Sequence, residues 1–256
     1  MWSRVELKEK GKTAFKRNYW RCVLVSFILL LLAGGTSRVT NSVSDSQTGY
    51  VEYEDSWDND FDIGVPLPGE AGYIGHGRSI SSWIFGIVAA IIFSGIALMI
   101  ILLKIFVFQP LEIGGCRFFM ENTGSIASAE RMLFAFKSGY YGKMVLTMFL
   151  KGLYTFLWSL LFIIPGIIKA YEYRMIPYLL ADCPEMSRED AFRISKEMMY
   201  GQKAEVFLLD LSFIGWYLLT MVTCGLLEIF YVAPYVNATN AELFLTLRAQ
   251  YLQGRN

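Results

Sequence analysis

The sequence predicts an all-α polytopic helical membrane protein. It has six transmembrane helices arranged as three hairpin units, with amphipathic helices on the cytoplasmic side. Three observations carry this. The 256 residues are 54% hydrophobic and 18% charged, with a mean hydropathy of +0.39, more apolar and less charged than ordinary soluble domains. Apolar runs recur along the whole chain. The formal net charge is zero, yet charge is segregated: residues 4–21 hold Arg4, Lys8, Lys10, Lys12, Lys16, Arg17 and Arg21 against Glu6 and Glu9. Residues 45–70 hold only acids, Asp45, Glu52, Glu54, Asp55, Asp58, Asp60, Asp62 and Glu70. A basic start, an apolar run and an acidic loop place the N-terminus in the cytoplasm.

In chain order, residues 4–18 form a basic, weakly amphipathic helix at the membrane surface, facing the lipid bilayer and its anionic lipid. Residues 22–33 are the first apolar span, ended by Gly34-Gly35. Its basic flank resembles a signal peptide, but the segment belongs to the repeat described below, and the N-terminus is expected to be retained. Residues 36–80 are a polar outer loop. Asp58, Asp60 and Asp62 alternate there as in a calcium loop, but Gly64 and Glu70 each fall one position late for that register. A solvated acidic loop is the simpler reading, and a weak cation site the alternative. Residues 83–103 carry no charge, long enough as a helix to cross a bilayer. Lys104 ends the span and snorkels.

Residues 109–143 are polar and, by their excess of Lys and Arg, cytoplasmic. Ser125 or Ser128 caps a short helix through Met132, Leu133 and Phe136. Residues 144–164 are the third span, interrupted by Lys151. Pro165-Gly166 reads as an outer turn, because proline lacks a donor and glycine accepts positive φ. Residues 167–181 return as a shorter fourth span. Ser187 and Asp190 approximate a capping box, opening a helix whose apolar stripe is Ala191, Ile194, Ser195 and Met198. Residues 206–223 form span five, with Asp210 inside it. Cys224-Gly225 is the next outer turn, and residues 226–247 are span six, broken near Pro234.

The chain also repeats itself. Trp158, Gly166 and Pro177-Tyr178 recur in order as Trp216, Gly225 and Pro234-Tyr235, and Ala14-Phe15-Lys16-x-x-Tyr19 recurs as Ala135-Phe136-Lys137-x-x-Tyr140. Residues 1–256 therefore divide as a single membrane domain into units 1–108, 125–181 and 187–248. Aligning the two glycines places Lys169 and Glu228 at equivalent depths with opposite charge, where they can pair. The rival arrangement pairs Lys169 with Glu172, three residues on.

The basic start through Ala14-Phe15-Lys16-Arg17-Asn18-Tyr19-Trp20, the segments 156–167, 171–182 and 195–201, Ser212-Phe213-Ile214-Gly215-Trp216 and Ala233-Pro234-Tyr235 together resemble a bacterial membrane family called domain of unknown function 975. The resemblance covers nearly the whole chain. It implies a multi-pass protein of the bacterial plasma membrane, and supplies no activity, ligand or catalytic residue. The layout is also broadly similar to the membrane region attached to some glycerophosphodiester phosphodiesterases, but the chain has no room for that catalytic domain.

No catalytic constellation is legible. His76 is the only histidine, so histidine-dependent hydrolases would all have to use it. No H-E-x-x-H or G-x-S-x-G occurs, Asp210 has no second aspartate for an aspartyl dyad, and Cys22, Cys116, Cys183 and Cys224 are scattered and read as buried small apolar residues. No cofactor, metal site or nucleic-acid surface is expected, and the sequence names no protein partner. What remains is charge within spans, which is costly and marks candidate sites: Lys151, Lys169, Glu172, Arg174, Asp210 and Glu228. The leading expectation is a non-enzymatic scaffold or subunit in envelope or lipid organisation. A small transporter or channel-like protein is the alternative, and a membrane enzyme comes third. A polar cavity lined by Lys151 and Asp210 would favour transport, and a dry centre scaffolding.

Overall fold

The structure is a computed structural model and describes residues 2–34 and 80–254. The expected outer acidic loop 36–80, with Asp58, Asp60, Asp62 and His76, lies outside the described residues apart from its last position. Among the described residues the chain is helical, with no strand. It divides into two units, residues 37–100 and the remainder.

The described part of the first of these belongs to one helix, α3 (Ile80–Leu103). From Gly86 to Ile100 its side chains are exposed, only Ala89 being half-buried. A helix apolar on every side has no water-facing face, and only lipid or protein can solvate it.

The larger unit contains α1 (Arg4–Arg17), α2 (Tyr19–Gly34), α4 (Gln109–Gly124), α5 (Tyr141–Leu161), α6 (Ile163–Glu172), α7 (Ile176–Asp182), α8 (Arg188–Met198), α9 (Lys203–Leu211), α10 (Ile214–Val222) and α11 (Ala233–Gln253). Two π-helical turns, Lys104–Phe108 and Glu228–Val232, lead into α4 and α11. Among the described residues, three helical stretches are long and apolar enough to cross a membrane: Gly86–Gly124, Tyr141–Leu161 and Lys203–Val222. Tyr19–Leu31 is a shorter apolar helix.

The core sits where the sequence reads as polar. Helix α4 buries Ile113, Phe118, Phe119 and Asn122 and packs against α1, α2, α7 and α11. Pro110 occupies its first turn, where a missing N–H costs nothing. Gly114 lies directly on the Met132 backbone, which belongs to a 3₁₀ turn (Ala129–Leu133) capped by Ser128, whose hydroxyl accepts from the Glu130 amide at 3.2 Å. Met132 is buried there and Phe136 is exposed.

The basic N-terminus is largely spent inside the protein. Arg17 donates to the carbonyls of Asn122 and Thr123, and Arg21 to Ala127 O at 3.1 Å. These last-turn and following carbonyls of α4 have no intrahelical partner and sit at the negative end of its dipole. Buried Asn122 donates to Ala14 O at 2.9 Å and accepts from Asn18 at 2.8 Å, so α1, α2 and α4 are locked at one point. Lys8 donates to Ser212 O and lies over the Phe213 ring, Arg4 pairs with Glu205, and Lys10 with Glu6. Lys12 and Lys16 remain exposed on α1.

Three expected elements differ. The break after the third span is at Phe162, whose backbone is extended, and not at Pro165-Gly166. Pro165 falls inside the first turn of α6, the one place a helix accepts it freely, and Gly166 serves packing: a Cβ there would overlap the Ser159 hydroxyl and lie 2.7 Å from Ser159 Cα. The fourth span is two short helices, α6 and α7, parted by turn residues 173–175, and span five is interrupted at Ser212-Phe213. The turn at Cys224-Gly225 is present, with φ of 51° and 83°. Cys224 is exposed there, so the buried reading of the cysteines fails for it; Cys22 is buried, Cys116 and Cys183 are intermediate, and all four are free thiols. Burial and the adjacent Asp182 both hold the Cys183 thiol up from its ordinary pKa.

The two Pro-Tyr pairs share a local setting. Each opens a helix, α7 or α11, and each tyrosine is buried. The tips of the apolar arms are exposed: Leu160, Phe162, Ile163 and Ile164 around one break, Met221 and Val222 before the other. Large apolar side chains exposed in such number need a non-aqueous environment.

Candidate functional site: charged bridges and a polar cleft

The broken helices bring charged side chains together. Arg174, in the break between α6 and α7, meets Asp210 near the end of α9 through two parallel bonds, Nη1–Oδ2 at 2.5 Å and Nη2–Oδ1 at 2.9 Å. Nη2 also donates to Asn240 Oδ1 on α11 at 2.9 Å, and the Tyr171 hydroxyl donates to Asp210 Oδ2 at 2.9 Å. A planar guanidinium matches a carboxylate in this fork geometry, which a lysine cannot do. One side chain thus ties two helix breaks to the last helix.

Two residues away, Glu172 is 6% exposed. Lys169 Nζ and Lys203 Nζ approach its two oxygens at 2.6 Å each, and Ser195 Oγ donates to its carbonyl at 2.6 Å. A buried carboxylate is tolerable when paired and hydrogen-bonded in this way. Lys169 therefore makes the local i,i+3 pair. Its expected facing of Glu228 is replaced because a partner one turn away costs less chain ordering than one on another hairpin. Glu228 sits in the π-helical turn before α11.

Between α2, α4, α5, α6, α7 and α11 lies a cleft of about 720 Å³. Its polar lining includes Lys104, Gln109, Glu112, Lys151, Asn237 and Asn240, and its apolar lining Leu29, Phe119, Met148 and Phe156. Arg174 also reaches it, with Asp210 behind. Lys151 and Glu112 stand 3.7 Å apart, beyond hydrogen-bond length. Asn237 donates to Ser26 Oγ at 3.1 Å. The Oε1 of Gln109 is buried and accepts no hydrogen bond among the described residues. A volume of this size with a few convergent polar groups is the usual form of a small-ligand site.

Of the six residues singled out from sequence, Lys151 and Arg174 line the cleft, Asp210 holds Arg174 from behind, and Lys169 with Glu172 forms the neighbouring brace. Lys104, Gln109, Glu112, Asn237 and Asn240 were missed. Lys104 reads as a snorkelling end and the 109–112 segment as a loop. Asn237 and Asn240, three apart on an apolar helix, were the available signal. Among the described residues no cluster of His, Cys, Asp or Glu could hold a metal ion.

Comparison with known proteins adds a family and nothing further. The model described as protein of unknown function (DUF975) matches residues 160–251, which hold the Arg174–Asp210 fork, Glu172 and both Pro-Tyr pairs. No curated protein and no solved structure matches the chain. Residues 160–251 are thus similar to the DUF975 family of proteins of unknown function.

Proposed function

We propose that this is a six-span protein of a bacterial plasma membrane, both termini cytoplasmic, that takes a polar group into its cleft as a small transporter or channel-like protein. The cleft carries this reading. Two lysines, a carboxylate and three amides surround open volume among helices whose far ends are apolar and exposed. Polar groups in such surroundings cost free energy unless a polar occupant or water meets them. A scaffold for envelope or lipid organisation needs only a dry interior. Broken helices lining a site, with a π-helical turn beside it, are also how membrane transporters free backbone and side chains for ligands. Binding and passage, without catalysis, is the activity proposed. Lys12 and Lys16, beside exposed Trp20, supply the contact with anionic lipid at the cytoplasmic face.

Thr155 lines the cleft and tests whether it is wet. In a chain lacking its four native cysteines, Thr155→Cys is expected to react with a small charged thiol reagent in membranes. Leu160→Cys, at an exposed apolar tip, is the control and should react far more slowly. Equal, slow reaction at both positions would mean a dry centre and would return the scaffold reading.

A further inference from the structure

We infer that the occupant of the cleft is an anionic phosphate head group, held by Lys151 and Lys104; this rests on the hydrated-cleft reading above. Two features narrow the chemistry. First, the lining is cationic. Lys104, Lys151 and Arg174 face one carboxylate, Glu112. Arg174 has its fork committed to Asp210 and Asn240. Lys151 is too far from Glu112 for a direct hydrogen bond at 3.7 Å, and Lys104 forms no ion pair among the described residues. Two ammonium groups thus keep donors for an oxyanion.

Second, one wall is apolar, formed by Leu29, Phe119, Met148 and Phe156. The cleft is larger than a phosphate ion needs, and this wall suits the first methylenes of an acyl chain. The phosphate can arrive on a lipid or as a soluble ion, and the lipid source fits the apolar wall.

The test uses the full chain in detergent and follows its thermal unfolding midpoint, which rises when a ligand binds the folded state. The probes are short-chain phosphatidylglycerol, phosphatidylcholine with the same chains, and inorganic phosphate against chloride at matched ionic strength. Phosphatidylglycerol should raise the midpoint saturably, at a concentration at least about tenfold below phosphatidylcholine. Lys151→Met should raise that half-saturating concentration about tenfold, the worth of one charge-assisted bond. Lys151→Arg should retain most binding and guards against a folding defect in the methionine variant. Lys196→Met, exposed on α8 and away from the cleft, should change nothing. If inorganic phosphate matches the lipid, the phosphate site stands and its source is soluble. If phosphatidylcholine matches phosphatidylglycerol, or Lys151→Met binds as the parent does, the inference is wrong. Reaction at Thr155→Cys without saturable binding would discard the phosphate alone and leave the wet cleft.

Discussion

Gly114→Ala is expected to remove a large part of the protein's stability, about 3–5 kcal/mol. A Cβ at this position would overlap the Met132 carbonyl group and come within 2.7 Å of Met132 Cα. The obstacle is backbone, so no rotamer change relieves it. Either α4 or the 3₁₀ turn Ala129–Leu133 must move, and buried Met132 and Ile113 lose their packing with it. Gly152→Ala is the matched control. Nothing lies within 4 Å of a Cβ there, and alanine is the better helix former by about 1 kcal/mol. Thermal unfolding in detergent, followed by circular dichroism, should show a much lower midpoint for Gly114→Ala and an unchanged or higher one for Gly152→Ala. Equal midpoints would mean that the α4 contact does not hold the unit together.

The second large effect is expected at Arg174. Arg174→Met removes both bonds to Asp210 and the donor to Asn240. Asp210 is then left with the Tyr171 hydroxyl alone among the partners described here. Breaking one side of such a pair costs about 3–5 kcal/mol, mostly from the stranded charge. Removing both charges should cost less, since no ion is left without a counter-ion. The double variant Arg174→Met/Asp210→Leu is therefore expected to be more stable than Arg174→Met. A double-mutant cycle on unfolding free energy measures that coupling. Additive losses, or a loss under about 1 kcal/mol for Arg174→Met, would show that water already satisfies both groups.

Local signals were legible in the sequence, and close approaches were not. The charge-free run 83–103 gave α3, and Ser187 with Asp190 gave the start of α8, where the Ser187 hydroxyl accepts from the Asp190 amide at 3.1 Å. Asp190 also takes a hydrogen bond from that hydroxyl and faces Arg193, which together hold its carboxyl below the usual carboxylate range. Pro165-Gly166 misled because proline marks either the end of a helix or its first turn. Only the position of Ser159, on another helix, shows that Gly166 is small for packing. The 109–124 segment misled in the opposite way. Glu112, Arg117 and Glu121 gave it a polar reading, but Ile113, Phe118 and Asn122 recur near the helical period and lie on its buried face. In the site, the Lys169–Glu172 pair follows from spacing alone. The Arg174–Asp210 fork joins residues 36 apart through two helix breaks, and no local pattern encodes that meeting.

The apolar arms are expected to cross a membrane with the packed, charged end in the cytoplasm. Single cysteines at positions 44 and 128, in a chain without native cysteines, test that directly with a membrane-impermeant maleimide on intact cells. Ser128 is exposed on the turn that follows α4. Position 44 should label from outside, and position 128 only after the cells are permeabilised. Labelling of position 128 in intact cells, or protection of position 44, would contradict the account.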